Sequence, residues 1–267
     1  MAETDAERGQ VTASAAEVYE EFFVPALFGQ WAAPVLDAAG VGVGHRVLDV
    51  GCGTGVVARA ARPRVGATGT VTGIDVNAGM LRVAQRVDPA VSWREGVAEA
   101  LPFDDGSFDR VVCQFALMFL ADRAAALREM ARVLAPGGRV AIATWSSADR
   151  SPGYAAMIAL LDRLFGAEAA DALRAPFCLG DPGELRSLVG EAFPDVEVAE
   201  HDGVARFASI DAWVLTDVKG WTLADMIDDD QLAHLLTEAR TALRELVAAD
   251  GTVSFPAPAL LATTPGS

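Results

Sequence analysis

Lysine is almost absent from this chain of 267 residues, in which Lys219 is the only one. A phosphate-binding P-loop needs a Gly-Lys-Ser/Thr element, so this class of site is excluded. Schiff-base catalysis needs a lysine amine, and Lys219 is the only residue that could supply it. Lysine and arginine together number 21, against 37 aspartates and glutamates, and the formal net charge is −16. Such a surface repels phosphate backbones, and we expect no nucleic-acid partner.

Cysteine and histidine are also scarce, with three residues of each. Cys52, Cys113 and Cys178 lie far apart and form no zinc-binding spacing with the histidines, so we expect reduced thiols and no metal site. No stretch reaches the roughly 20 apolar residues that cross a bilayer. The first residues are acidic and lack the pattern of a secretion signal. These features predict a cytoplasmic protein without membrane insertion.

The sequence is otherwise typical of a globular protein, with 52% hydrophobic and 22% charged residues. Aromatic and aliphatic residues recur at helical spacing before residue 40, which predicts a helical cap over residues 1–40. We expect one domain over residues 41–267, with cap insertions at about 150–192 and 208–250. The sequence contains no internal repeat and no low-complexity linker.

Short β-branched runs alternate with amphipathic stretches from Arg46 onward. The runs predict strands, listed in order: Arg46–Val50, Val71–Asp75, Val91–Arg94, Phe108–Gln114, Arg139–Trp145, Val196–Glu200, Val204–Phe207 and Val253–Thr263. Pro256 and Pro258 restrict the last strand to a sheet edge or to part of this span. Helices are expected at Thr54–Ala61, before Pro63, and at Ala78–Val87, and helix caps at Asn77, Asp122, Asp181 and Asp228. This alternation predicts an α/β fold with a doubly wound, mostly parallel sheet.

One glycine-rich loop carries most of the chemical information. Gly51, Gly53 and Gly55 follow a buried strand and precede a helix, where glycine lets a ligand lie against the backbone. Asp75 ends the next strand, twenty residues after Gly55, where a carboxylate can accept hydrogen bonds from two ribose hydroxyls. Together, the glycine loop and Asp75 predict a site for an adenosine-type ligand.

The charge of Asp49 distinguishes between two such ligands. A dinucleotide loop has the spacing G-x-G-x-x-G, whereas this chain has G-x-G-x-G with Val56 in place of the third dinucleotide glycine. Asp49 lies inside the preceding strand, where it would repel a pyrophosphate and attract an ammonium group. We therefore favour S-adenosyl-L-methionine as the ligand. A nicotinamide dinucleotide stays open as an alternative.

The chain resembles the class I S-adenosylmethionine-dependent methyltransferases over about residues 45–146, and within them the small-molecule, UbiE-like branch. The resemblance rests on the glycine loop and on further motifs at Ala98–Phe103, Gly106–Asp109, Leu127–Met130 and Pro136–Gly138. It implies a Rossmann-like methyltransferase fold with seven strands. It also implies cofactor contacts from these residues: Asp49, Gly51, Cys52, Gly53, Gly55, Asp75, Val76, Met80, Val97, Ala98, Glu99 and Gln114.

The implied reaction is transfer of a methyl group to an O, N or C atom of a small acceptor. The aromatic content of the cap favours an aromatic or lipophilic metabolite. Residues expected to line the acceptor pocket are Tyr19, Trp31, Phe115, Met118, Phe119, Trp145 and Trp221. We expect a monomer or homodimer.

Two features leave other functions open. Many relatives carry an aspartate at the position of Val97, where valine cannot accept a hydrogen bond from the adenine amino group. The sequence also shows no clear catalytic base; His201, after a predicted strand, is the candidate. A protein that binds the cofactor without transferring its methyl group is therefore the second alternative.

Overall fold

The structure, a computed structural model, describes residues 13–219, 223 and 226–265. The described strands are β1 Arg46–Val50, β2 Thr70–Asp75, β3 Ser92–Glu95, β4 Phe108–Gln114, β5 Leu134–Trp145, β6 Glu197–His201, β7 Val204–Phe207, β8 Val253–Pro256 and β9 Ala259–Thr263. The described α-helices are α1 Ala13–Val18, α2 Ala32–Ala38, α3 Val56–Val65, α4 Ala78–Val87, α5 Arg123–Val133, α6 Pro152–Phe165, α7 Ala167–Arg174, α8 Pro182–Gly190, α9 Ile210–Lys219 and α10 Asp229–Ala242.

Seven of these strands form one sheet in the order β3-β2-β1-β4-β5-β9-β6. Strands β1 to β5 pair in parallel, and β9 is antiparallel to both β5 and β6. β6 consequently runs in the same direction as β5. The predicted doubly wound, mostly parallel sheet is confirmed, and β7 and β8 form a separate antiparallel pair.

Several predicted boundaries differ from the structure, most of them by one or two residues. Helix α3 continues through Pro63, because this residue falls near the end of the helix, where its missing N–H removes only one late hydrogen bond. β5 begins at Leu134 rather than Arg139. The span Val253–Thr263, predicted as an edge strand or a strand over part of its length, contains two strands in different sheets. The chain leaves its pairing with β7 at Pro256 and joins the main sheet at Ala259.

The predicted caps are confirmed at the start of four helices. Asn77, Asp122, Asp181 and Asp228 each accept hydrogen bonds from backbone N–H groups of the first turn. These bonds satisfy donors that a helix leaves unpaired. Among the described residues, no helix has the length and apolar character needed to cross a membrane.

Residues 13–38, the described segment before β1, are largely helical and contact the chain where β6 ends and β7 begins. A π-helical stretch, Tyr19–Phe28, follows α1. The Gln30 side chain then exchanges two hydrogen bonds with the backbone of Val204, at 2.9 and 3.0 Å. Trp31 is 1% exposed and lies against Gly203. These contacts place the N-terminal segment across the carboxyl edge of the sheet.

Asp49 is the one charged residue of β1 that lies inside the sheet core, with 1% of its surface exposed. Its neighbours in the adjacent strands are Gly73 and Val112. Burial raises the pKa of Asp49 to about 7, although the hydrogen bond from the Ala58 N–H favours the ionised form. The folded protein therefore contains a carboxyl group that binds a proton more tightly than it does in the unfolded chain.

We expect Gly203→Ala to destabilise the protein by about 1–3 kcal/mol, as overpacking of a tight contact does. A Cβ at this position would overlap the Trp31 ring and lie 2.5 Å from the Ala257 carbonyl oxygen. Urea unfolding measures the change. Gly42→Ala is the control, because its Cβ would meet nothing closer than His45 at 3.9 Å. Equal stability of the two variants would contradict the tight contact.

A second prediction concerns pH. The pKa of Asp49 is about 7 in the folded state against 3.8 for the ordinary group, so between these values the folded state keeps a proton that the unfolded state has lost. The contribution of Asp49 to stability should fall as pH rises through this window, by up to about 1.4 kcal/mol per pH unit, and level off above it. Asp49→Asn should remove this contribution alone, so the variant should gain about 1–2 kcal/mol relative to wild type between about pH 5.5 and 7.

Urea unfolding at several pH values tests this, with Asp109→Asn as the matched control. Arg46 lowers the pKa of Asp109 to about 2 in the folded state, from an ordinary value of 3.8. Both values lie below the tested pH range. The difference between Asp109→Asn and wild type should stay constant. A constant difference for Asp49→Asn as well would show that Asp49 is ionised throughout.

Candidate functional site

A cavity of about 390 Å³ opens where β1, β2, β3 and β4 end, and we call it the main cavity. Its position is the usual ligand site of an open parallel sheet. The lining residues are Tyr19, Val50, Gly51, Gly53, Ile74, Asp75, Val76, Asn77, Met80, Gly96, Val97, Ala98, Glu99, Phe115, Ala116, Phe119, Leu120 and Ala121.

The glycine loop forms the floor of this cavity. Gly51, Gly53 and Gly55 have φ values of 66°, 54° and 87°, in the left-handed region that favours glycine. A Cβ at Gly51 would also overlap the Cβ of Ala116, and one at Gly55 would overlap the Trp93 ring. Gly51 and Gly53 line the cavity, whereas Gly55 does not and instead leads into α3.

Asp75 is held rigidly at the edge of the cavity. One of its oxygens accepts the Gly53 N–H and the other accepts the Asn77 N–H, both at 2.8 Å. Burial raises the pKa of Asp75, while these N–H groups and that of Val76 favour the ionised form. Each carboxylate oxygen has further acceptor capacity. The group can therefore accept two hydrogen bonds from a ligand diol.

Asp49 lies beneath the main cavity and is not among its lining residues. Its Oδ2 accepts the Ala58 N–H at 3.0 Å, so the carboxyl group contacts the first turns of α3. The structure thus shows that the Asp49 carboxyl group contacts α3 and does not line the main cavity. Cys52 is also outside the lining, and burial raises the pKa of its thiol, which keeps it protonated.

The opposite wall brings together five of the predicted cofactor residues: Val76, Met80, Val97, Ala98 and Glu99. Val76 and Val97 are 44% and 43% exposed, which is high for valine and leaves apolar surface facing the cavity. Glu99 Oε1 accepts the Asp122 N–H at 3.4 Å. This wall offers apolar surface and one carboxylate.

Gln114 does not line the main cavity, although it was predicted to bind the cofactor. Its Nε2 donates a hydrogen bond to the Phe28 carbonyl at 3.2 Å. Its Oε1 is buried and has no hydrogen-bond partner among the described residues. The side chain therefore connects the end of β4 to the N-terminal segment.

Tyr19, Phe115 and Phe119, predicted for the acceptor pocket, all line the main cavity. Phe115 has φ of 53°, the only positive value among the described residues other than glycine. Its ring stacks on Trp145 with centroids 3.9 Å apart, and its N–H donates to the Ala143 carbonyl. Such backbone strain is common where a side chain is held for function.

The remaining predicted pocket residues lie elsewhere. Trp31, Met118 and Trp145 are buried and do not line the main cavity. Trp31 and Trp145 pack behind Phe115, with ring centroids 6.0 and 3.9 Å from it. Trp221 lies outside the described residues.

His201 is the last residue of β6 and pairs with Ala259, level with Trp145 on β5. It is therefore at the predicted carboxyl edge of the sheet, but it is exposed and is not a lining residue of the main cavity. The described residues contain no group of three or more histidine, cysteine or carboxylate side chains that could hold a metal ion.

Several lining residues were not identified from the sequence: Val50, Ile74, Asn77, Gly96, Ala116, Leu120 and Ala121. Most of them end a strand or follow one directly. The sequence feature that could have identified these residues is their position at strand ends, since all the parallel strands end at the same edge of the sheet.

A second cavity, of about 30 Å³, lies behind the aromatic layer of the main cavity. It is lined by Phe23, Leu27, Phe28, Trp145, Tyr154, Leu173, Pro176, Phe177 and Asp217. Burial raises the pKa of Asp217 to about 8, opposed by the nearby Trp213 and Tyr154 side chains. No sequence pattern had indicated this carboxyl group.

Comparison with known proteins agrees with this geometry. Residues 48–142 match a family described as "Methyltransferase domain". The demethylmenaquinone methyltransferase of Renibacterium salmoninarum is 41% identical over 117 residues, which are 44% of this chain and 48% of that protein. The ubiquinone/menaquinone biosynthesis C-methyltransferase UbiE of Pasteurella multocida is 40% identical over 122 residues, 43% of this chain and 46% of that protein. The matches thus span about half the length of these relatives.

Similarity of fold extends over nearly the whole chain. The phosphoethanolamine N-methyltransferase 2 of Haemonchus contortus, solved in complex with S-adenosyl-L-methionine, superposes with a TM-score of 0.62 and 20% identity. The superposition covers 98% of this chain and 59% of that one. Together with the domain match, these findings show that residues 48–142 are similar to a methyltransferase domain and that the chain has the fold of the solved methyltransferase.

Proposed function

We propose that this protein transfers a methyl group from S-adenosyl-L-methionine to an O, N or C atom of a small aromatic or lipophilic acceptor. The observation that carries the proposal is the charge of the main cavity. Asp75 and Glu99 line it, and no lysine, arginine or histidine is among the described lining residues. A pyrophosphate would meet carboxylates without a cation, whereas a ligand with positive sulfur and nitrogen atoms is attracted.

The residues present fit this cofactor. Asp75 can accept hydrogen bonds from the ribose hydroxyls, and its orientation is already set by Gly53 and Asn77. Gly51 lines the cavity with its backbone alone, and a Cβ at this position would overlap Ala116. Val76, Met80, Val97 and Ala98 offer an apolar surface for the adenine. When bound, the cofactor supplies an electrophilic methyl group on a cationic sulfur.

The protein's own contribution to the reaction is alignment and exclusion of water. Tyr19, Phe115 and Phe119 form the aromatic side of the main cavity. Burial raises the pKa of Tyr19, which keeps its hydroxyl protonated. Holding two reactants in line can contribute roughly 7–11 kcal/mol, and such a contribution needs no covalent intermediate.

The acceptor class follows from the lining and from the relatives. Flat aromatic residues favour a flat acceptor, and the names of both relatives contain a menaquinone. We therefore propose a quinol or another phenolic ring as acceptor. We also propose that the protein acts in the cytoplasm as a monomer or homodimer, in keeping with its acidic surface and three free cysteines.

Asp75→Asn should weaken binding of S-adenosylhomocysteine roughly ten- to hundredfold, because hydrogen bonds to a charged acceptor contribute about 1.5–3 kcal/mol. Calorimetric titration measures the dissociation constant. Asp88→Asn is the matched control: Asp88 follows the other end of α4 and pairs with Arg62 outside the cavity. Wild-type protein that binds NAD and not S-adenosylhomocysteine would reverse the assignment of the cofactor.

Methyl transfer itself is tested with isotope-labelled S-adenosylmethionine and a panel of quinols, phenols and amines. We expect label in at least one aromatic product, and loss of transfer in Gly51→Ala, whose Cβ would overlap Ala116 on the cavity floor. Gly42→Ala, far from the cavity, should keep the activity. Tight cofactor binding with no label transferred to any acceptor would favour the alternative of a binding or non-methylating protein.

A further inference from the structure

Glu129 and Arg132 of α5 form an ion pair outside the main cavity. Glu129 belongs to the motif Leu127–Met130, and no residue of this motif lines that cavity. The two side chains lie three residues apart on the helix and share two hydrogen bonds of 2.7 Å. Exposed ion pairs of this kind contribute little to stability. This pair is partly buried, with 21% of the Glu129 and 31% of the Arg132 side chain exposed, and its other contacts decide its role.

Every N–H donor of Arg132 has an acceptor. A guanidinium group has five such donors. Nε and Nη2 each donate to an oxygen of Glu129. Nη2 also donates to the Leu101 carbonyl at 3.0 Å, and Nη1 donates to the Phe103 carbonyl at 2.8 Å. The last donor, on Nη1, bonds Asp105. Arg132 therefore holds the backbone of one loop at two points.

Glu129 holds the same loop by a bond of opposite polarity. Its Oε2 accepts the Leu101 N–H at 2.8 Å, so Leu101 has its N–H on Glu129 and its carbonyl on Arg132. Hydrogen bonding from Arg132 and from this N–H lowers the pKa of Glu129, which keeps the carboxylate ionised. Leu101 itself is 4% exposed. The ion pair is thus bonded to a buried part of the backbone.

The loop that the pair holds includes one side of the main cavity. Residues 97–99 all line that cavity and come directly before this anchored part of the chain. At the other end of these residues, the Gly96 N–H donates to the backbone carbonyl of Asp75 at 3.0 Å. Residues 97–99 are therefore attached to β2 on one side and to α5 on the other.

The contact between adenine and this side of the cavity depends on distance. Val97 is 43% exposed and offers apolar surface to the ligand. A gap of about 0.5–1 Å removes roughly a quarter to a half of a dispersion contact. A loop that is ordered before the ligand binds also avoids the cost of ordering it during binding. The position of residues 97–99 should consequently affect the binding of adenine more than that of the rest of the cofactor.

We propose that Glu129 and Arg132 are positioning residues, which set the affinity for the adenine of the cofactor by fixing residues 97–99. This deepens the proposed function and rests on it for the identity of the ligand. Both side chains act through the backbone of the loop and do not touch the ligand. Lysine cannot replace Arg132 in this role, because its ammonium group lacks the planar fork that binds Glu129 and two carbonyl groups at once.

The first test compares S-adenosylhomocysteine with S-ribosylhomocysteine, which lacks adenine. In Arg132→Lys the dissociation constant of S-adenosylhomocysteine should rise roughly tenfold, and that of S-ribosylhomocysteine should stay within about twofold of wild type. Calorimetric titration, with displacement for the weaker ligand, measures both constants. A general loss of structure would weaken both ligands equally.

Asp105→Asn is the matched control for this test. Asp105 bonds the same guanidinium group, but it is 82% exposed and does not line the main cavity. The substitution leaves the bonds of Arg132 to the two loop carbonyls in place. Both dissociation constants should therefore equal those of wild type.

A second measurement uses ligand-free wild-type protein and remains valid if Arg132→Lys fails to fold. Because the loop is fixed before the ligand binds, the Leu101 N–H should exchange with solvent roughly a hundredfold more slowly than an unbonded amide. Amide exchange followed by ¹⁵N-resolved NMR measures this rate. Glu129→Ala should accelerate the exchange, and Glu129→Gln, which keeps an acceptor oxygen, should restore part of the protection.

The outcomes separate the two proposals. If wild-type protein does not bind S-adenosylhomocysteine, the proposed function fails. The positioning proposal alone is overturned if folded Arg132→Lys keeps the affinity for S-adenosylhomocysteine or loses affinity for both ligands by the same factor. It is also overturned if Asp105→Asn reproduces the effect, or if the Leu101 N–H of wild-type protein exchanges as fast as an unbonded amide.

Discussion

The hydrogen bond from the Gly53 N–H to Asp75 joins the two strand ends on which the main cavity depends. Gly53 itself has a left-handed backbone, with φ of 54°. Because Asn77 holds the second carboxylate oxygen, Asp75 cannot rotate without losing a bond. A ligand diol therefore meets an acceptor whose orientation was set during folding. The same bonds favour the ionised carboxylate and counter the burial that raises the pKa of Asp75.

Much of this arrangement could be predicted from the sequence, because it depends on local rules. Alternation of β-branched runs and amphipathic stretches determined the parallel sheet, and a parallel sheet places all its carboxyl ends at one edge. Gly51, Gly53 and Asp75 were found because each of them follows or ends a strand. Caps such as Asn77 and Asp228 were found because their side chains bond the neighbouring turn. None of these inferences needed knowledge of distant contacts.

Residues whose role depends on distant contacts could not be predicted. The sequence places Asp49 beside the glycine loop, but only the packing of α3 shows that its carboxyl group meets the Ala58 N–H. Gln114 ends β4 as expected, yet its amide bonds the backbone of Phe28, 86 residues earlier in the chain. Asp217 is within an ordinary amphipathic helix, and its burial follows from Tyr154 and Trp213 packing over it.

The N-terminal segment contributes lining residues to both cavities. Tyr19 of its π-helical stretch lines the main cavity, while Phe23, Leu27 and Phe28 line the second. The stretch is held near the glycine loop by the ion pair of Glu20 with Arg59 of α3. Beyond its other end, Gln30 bonds β7. Any displacement of this segment must therefore alter both cavities together. A ligand that contacts Tyr19 in the main cavity therefore contacts the ring on which Phe28 of the second cavity stacks.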